Sequence, residues 1–135
     1  MSDGKRVLLI EDEPNIIEAV RFILSRDGWH VVTHSSGADA VEAVGARAPD
    51  VVILDVMLPD RSGYDVLSDL RAAAATRDLP VLVLTARGQR KEREIALRMG
   101  ATRFMTKPFA NGELLEAVRA MAADRAVPDA GDPAS

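Results

Sequence analysis

Asp55 follows four consecutive apolar residues, Val51 to Leu54, in the stretch VVILDVMLPDRSGYD. An Asp placed there is commonly a turn residue, because its side chain accepts hydrogen bonds from nearby backbone N–H groups. Three other apolar runs also end in polar side chains: KRVLLI in Glu11, Asp12 and Glu13, PVLVL in Thr85, and TRFMT in Lys107, which Pro108 follows. Each has an ordinary explanation, as a helix-dipole partner, a helix cap or a surface lysine. Together they supply two or three carboxylates, a hydroxyl and an ammonium, a set suited to phosphoryl transfer onto a carboxylate. Clustered acids repel one another and call for a divalent cation, and Mg²⁺ suits oxygen ligands. Asp12 and Asp55 would bind it together with a backbone carbonyl just after Asp55. Asp55 would be the nucleophile, and Lys107 and the Thr85 hydroxyl would neutralise the phosphoryl oxygens. The chain has fourteen Arg and three Lys, so a lysine at 107 points to a need for a compact charge.

Composition narrows the alternatives. With 135 residues there is room for one folded domain. The sequence has no cysteine, which excludes disulfides, a thiol nucleophile and thiolate metal sites. No apolar run reaches the ~18 residues of a membrane span, and the N-terminus lacks the pattern of a signal peptide, which implies a cytoplasmic protein. A net charge of −4 argues against general nucleic-acid affinity. Locally the balance reverses, with seven basic residues from Arg87 to Lys107 against Glu92 and Glu94.

For the polar residues to meet, the elements carrying them must end on one edge. Short Val-, Ile-, Leu- or Thr-rich runs predict strands at 5–10, 30–34, 51–54, 80–85 and 102–106. Ile16, Val20, Ile23 and Leu24 fall at helical spacing, as do Leu114, Val118, Met121 and Ala122, and weaker helical patterns lie near 37–47, 62–75 and 90–99. Gly28 and Gly100 stand where helices would end. Alternating strands and helices imply a parallel sheet covered on both faces, whose ligands bind outside the carboxyl ends of the strands. The tail VPDAGDPAS reads as disordered or as a linker.

The motifs LLIEDEPNI, DVVILDVMLPDRSGYDVL, LPVLVLTA and GATRFMTKPF resemble the receiver domain of bacterial two-component response regulators, over residues 5 to about 123. The resemblance implies a flavodoxin-like (βα)5 doubly wound α/β fold with a five-stranded parallel sheet of order 2-1-3-4-5. It implies a domain at 1–123 with a flexible tail or linker at 124–135. Asp55 is then the phosphoacceptor, Glu11 and Asp12 form the acidic pocket, Met57 lends its carbonyl to Mg²⁺, and Lys107 contacts the phosphoryl group. Thr85 and Phe104 occupy the switch positions, and the Lys107–Pro108 bond is expected to be cis. The Glu11–Asp12 pair departs mildly from the commoner Asp-Asp. Implied partners are a sensor histidine kinase or histidine phosphotransfer protein, and a target or dimer partner on the face of the fourth helix, fifth strand and fifth helix. The basic charge there predicts an acidic partner.

Two other readings meet specific obstacles. A haloacid dehalogenase-type phosphatase needs a second Asp where this chain has Met57. A flavodoxin or dinucleotide-binding protein needs a phosphate-cradling loop where this chain has EDEPNI, which repels phosphate. A phosphorylation-independent interaction module with the same fold is the remaining alternative, and binding of a phosphate analogue with Mg²⁺ separates it from a working receiver.

Overall fold

A computed structural model describes residues 5–86 and 90–131, with side chains to Asp124. The elements run β1 (Arg6–Ile10), α1 (Pro14–Arg26), β2 (His30–His34), α2 (Ala40–Arg47), β3 (Val51–Asp55), α3 (Gly63–Ala72), β4 (Val81–Thr85), α4 (Arg90–Arg98), β5 (Arg103–Thr106) and α5 (Asn111–Gly131). The five strands form one sheet of order β2-β1-β3-β4-β5. Every pairing is parallel.

Successive side chains of a strand point to opposite faces, and the apolar runs use this to build two cores. Val7, Leu9, Val51, Ile53, Leu82 and Leu84 face α1 and α5, where they meet Val20, Leu24, Leu114 and Val118. Leu8, Ile10, Val52, Leu54, Val81 and Val83 face the other way, onto Val44, Val66, Leu67, Leu70 and Ala96. β3 and β4 are buried along their whole length, which is why their sequences show no polar alternation. β1 lies between β2 and β3, so strand order reverses beside it. The crevice at that reversal is where such sheets bind ligands.

Helix limits differ from the sequence pattern for local reasons. α2 begins at Ala40 rather than 37 because the backbone N–H groups of Gly37 and Ala38 donate to Asp60. α3 is capped by Ser62, whose hydroxyl accepts from the Tyr64 N–H, and it ends within a run of four alanines where Ala73 turns extended. There Thr76 donates to the Leu70 carbonyl, and Arg71 donates to the Thr76 and Arg77 carbonyls. Gly28 (φ 91) and Gly100 (φ 110) adopt the positive φ that suits glycine after a helix. The tail expected at 124–135 lies partly on α5, which continues to Gly131 through the alanine-rich MAADRA, a composition that favours helix. Residues 132–135 lie outside the described residues.

Candidate functional site

The carboxyl ends of β1 and β3 carry Glu11, Asp12 and Asp55, whose carboxylate oxygens lie within 4.8 Å of one another. Pairing of Ile10 with Leu54 sets this approach, because the next residue on each strand is an acid. Glu11 (0%) and Asp55 (2%) are buried, while Asp12 is exposed. Asp55 Oδ1 accepts a hydrogen bond from the Met57 N–H at 3.1 Å. The following turn closes tightly, with the Gly63 N–H donating to the Val56 carbonyl at 2.9 Å and Met57 bridged to Ser62. A Cβ on Gly63 would lie 2.3 Å from the Asp55 carbonyl oxygen, so only glycine permits this approach.

Lys107 reaches the same place from β5. Its backbone N–H donates to the Thr85 carbonyl at 2.8 Å, and its bond to Pro108 is cis. The Lys107 Nζ lies 3.3 Å from Asp55 Oδ1, 3.3 Å from Glu11 Oε1 and 3.4 Å from Glu13 Oε1. Burial disfavours the charged ammonium, but the facing Asp55 and Glu11 carboxylates outweigh it and raise the lysine above its ordinary pKa. Glu11 responds oppositely. Burial, with Asp55 alongside, raises its carboxyl from 4.5 to about 7, and Lys107 offsets only part of the rise.

Glu11 Oε1 is a buried acceptor without a hydrogen-bond partner among the described residues. Its approach to the Lys107 ammonium, at 3.3 Å, is an ion-pair contact. A buried acceptor left in this state is costly, and an oxygen-seeking cation beside it would satisfy it. The hard oxygen donors of Glu11, Asp12 and Asp55 thus fit Mg²⁺.

Thr85 is fully buried at the end of β4, level with Thr106 of β5. Phe104 is half-buried at the margin of the α2–α3–α4 core. It lines a groove of about 500 Å³ on the face formed by α4, β5 and α5. The basic character expected of that face is incomplete. Arg93 and Arg103 line the groove, but so do Glu113, Glu116 and Asp124 from α5, so the face is bipolar. Arg87, the first residue of the basic segment, lies outside the described residues. The sequence pattern placed Glu13 among the strand-end acids, with a helix-dipole role as its ordinary explanation, and gave it no particular partner. Its contact with Lys107 spans 94 residues, and three acids in a row at the end of β1 were the sole hint of it.

The response regulator receiver domain family model matches residues 7–119, and the chain belongs to that family, the receiver domains of two-component systems. It is 43% identical over 122 residues to the probable transcriptional regulatory protein TcrX of Mycobacterium tuberculosis, covering 89% of this chain and 51% of that protein. It is 46% identical over 114 residues to the transcriptional regulatory protein KdpE of the same species, covering 84% of this chain and 49% of that protein. The chain therefore spans about half the length of these curated relatives. The receiver domain of the sensor histidine kinase PA1611 from Pseudomonas aeruginosa, solved with a magnesium ion coordinated in its active-site cleft, is 28% identical. It superposes with a TM-score of 0.81 over 89% of this chain and 98% of that one. TcrX and KdpE are by name transcriptional regulatory proteins, and such relatives lend no support to the expectation that nucleic acid plays no part. Among the described residues, no helix is long and apolar enough to cross a membrane.

Proposed function

We propose that Asp55 accepts a phosphoryl group from a sensor histidine kinase or histidine phosphotransfer protein, in a Mg²⁺-dependent reaction, and that the acyl phosphate changes the face used by a partner. The observation that carries this is the buried Asp55 carboxylate, 3.3 Å from Lys107 Nζ and grouped with Glu11 and Asp12. A carboxylate oxygen of Asp55 attacks phosphorus as the N–P bond of the donor's phosphohistidine breaks, and the imidazole leaves. Lys107 then exchanges carboxylate contacts for a phosphoryl oxygen. Glu11, Asp12, Asp55 and the Met57 carbonyl would hold Mg²⁺, which would supply positive charge to the phosphoryl oxygens. The same groups bring water to the acyl phosphate for its hydrolysis, in which a water oxygen attacks phosphorus, the bond from phosphorus to the Asp55 oxygen breaks, and inorganic phosphate leaves the restored carboxylate.

The Thr85 hydroxyl moves toward the new phosphoryl oxygens, and Phe104 turns inward from the groove. Packed cores favour discrete arrangements over gradual ones, so the outcome is a shift between two states. The bipolar α4–β5–α5 face then meets a target or a second copy with matching charges. On this reading the receiver spans 1–123, and 124–135 is a tail or a linker.

Borohydride trapping followed by mass spectrometry tests the assignment. The adduct is expected on Asp55, absent from Asp55→Asn and absent with EDTA; label surviving in Asp55→Asn would overturn it. Thr85→Ala is expected to retain the adduct but to leave the Phe104 NMR signals unmoved by beryllofluoride.

A further inference from the structure

Asp60 lies five residues beyond Asp55, and its carboxylate is taken up by a neighbouring loop. Oδ2 accepts from the Ser36 hydroxyl at 2.5 Å and from the Ala38 N–H at 3.0 Å, and Oδ1 accepts from the Gly37 N–H at 2.8 Å. These donors, the Ser36 hydroxyl foremost, lower its carboxyl to about 2, so it stays ionised wherever the protein works. Hydrogen bonds to a charged acceptor are stronger than neutral ones. The two loops are also close-packed, because a Cβ on Gly37 would lie 2.9 Å from Arg61 Cβ and 3.1 Å from Leu58 Cδ1.

The clamped segment is the one that carries Met57. Its base is pinned by the Gly63 N–H on the Val56 carbonyl and by the Met57–Ser62 bridge, while Asp55 Oδ1 holds the Met57 N–H. Only Leu58 and Pro59 separate Met57 from Asp60, and the proline ring fixes its own φ. A displacement at Asp60 therefore has little slack to absorb it before it rotates the Met57 peptide, whose plane sets the direction of the carbonyl.

We infer that Asp60 is a positioning residue for the cation site: its clamp on the β2–α2 turn fixes the Met57 carbonyl relative to the Asp55 carboxylate. This role rests on the proposed function, in which that carbonyl is a ligand. A purely structural clamp would change stability and leave metal affinity alone.

The discriminating measurement is Mn²⁺ binding to the unphosphorylated chain, followed by water-proton relaxation, with urea unfolding of each variant alongside. Asp60→Ala is expected to bind Mn²⁺ about tenfold more weakly, at the low end of the cost of losing an outer-shell partner. Asp60→Asn should recover part of the loss, since its amide oxygen still accepts from Gly37. Asp69→Ala, which removes the carboxylate that Arg61 pairs with and leaves Asp60's donors in place, should match the wild type. If Asp60→Ala does not fold, Ser36→Ala, which removes one of the three donors, should show a smaller shift in the same direction. Wild-type affinity in Asp60→Ala, or in Ser36→Ala where Asp60→Ala does not fold, would overturn the role. Failure of the wild type to bind Mn²⁺ would instead overturn the proposed function and this role with it.

Discussion

Glu11 carries a proton at neutral pH far more readily than an ordinary glutamate, because burial raises its carboxyl to about 7 and Asp55 reinforces the rise. The folded value lies above the unfolded one, so the folded protein holds this proton more tightly. The stability it contributes is complete below about 4.5 and is lost as pH rises toward about 7. Asp60, Asp39 and Asp27 are shifted the other way, and their contributions change only in acid. In the proposed function, a cation held by Glu11 must displace this proton. Mg²⁺ affinity should therefore rise about tenfold between about pH 6 and pH 8 and flatten above, as expected for one competing proton. Calorimetric titration in buffers of different ionisation enthalpy would show the released proton directly. Glu11→Gln should abolish both the release and the slope.

At the scale of elements, the loop between β3 and α3 tolerates no added atom at its base. Gly63→Ala would push a methyl group to 2.3 Å from the Asp55 carbonyl oxygen and 2.8 Å from Val56 Cα, both backbone atoms. The variant should lose about 1–3 kcal/mol of stability, as overpacked sites do, and should phosphorylate poorly because Asp55 moves with its carbonyl. Gly45 offers the contrast. It sits on the exposed side of α2, and a methyl group added there would meet nothing within 4 Å, so Gly45→Ala should add roughly 0.5–1 kcal/mol. Urea midpoints of the two variants should move in opposite directions.

For the molecule as a whole, the bipolar α4–β5–α5 face predicts an association that depends on salt. Arg93 and Arg103 on one side of the groove and Glu113, Glu116 and Asp124 on the other allow a second copy, turned about a two-fold axis, to pair opposite charges. Sedimentation of the beryllofluoride-loaded chain should show weaker association at about 500 mM than at about 50 mM NaCl. Association that ignores salt would mean that charge pairing does not hold that face.

How legible this molecule is in its sequence depends on how far each feature relies on local pattern. The strands, the two-faced core and the residues at the strand ends follow from apolar runs that end in Asp55, Thr85 and Lys107, because parallel strands deliver their carboxyl ends to one edge. The contacts that trim the site do not follow. Glu13 meets Lys107 across 94 residues, Tyr64 meets Glu92 across 28, and Ser36 meets Asp60 across 24. Each depends on where two loops or helix ends come to rest, which no period records. The acidic lining of the α4–β5–α5 face was hidden likewise, since the charges of α5 lie outside the basic segment and join it only in the folded chain.

One helix stands apart in how it is held. Of the nine residues of α4, Ala96 is the one that is fully buried, and its first turn is tethered to α3 by the Tyr64 hydroxyl, which donates to Glu92 Oε2 at 2.5 Å. An isolated helix of that length is marginal in water, so α4 has little reason to stay folded except its seat. It should open as a separate unit while the sheet remains intact. Deuterium should accordingly enter the α4 amides well before those of α1, which buries Val20, Ile23 and Leu24. Tyr64→Phe should speed uptake in α4 and leave α1 unchanged, and equal uptake by the two helices would show that α4 opens only with the whole domain.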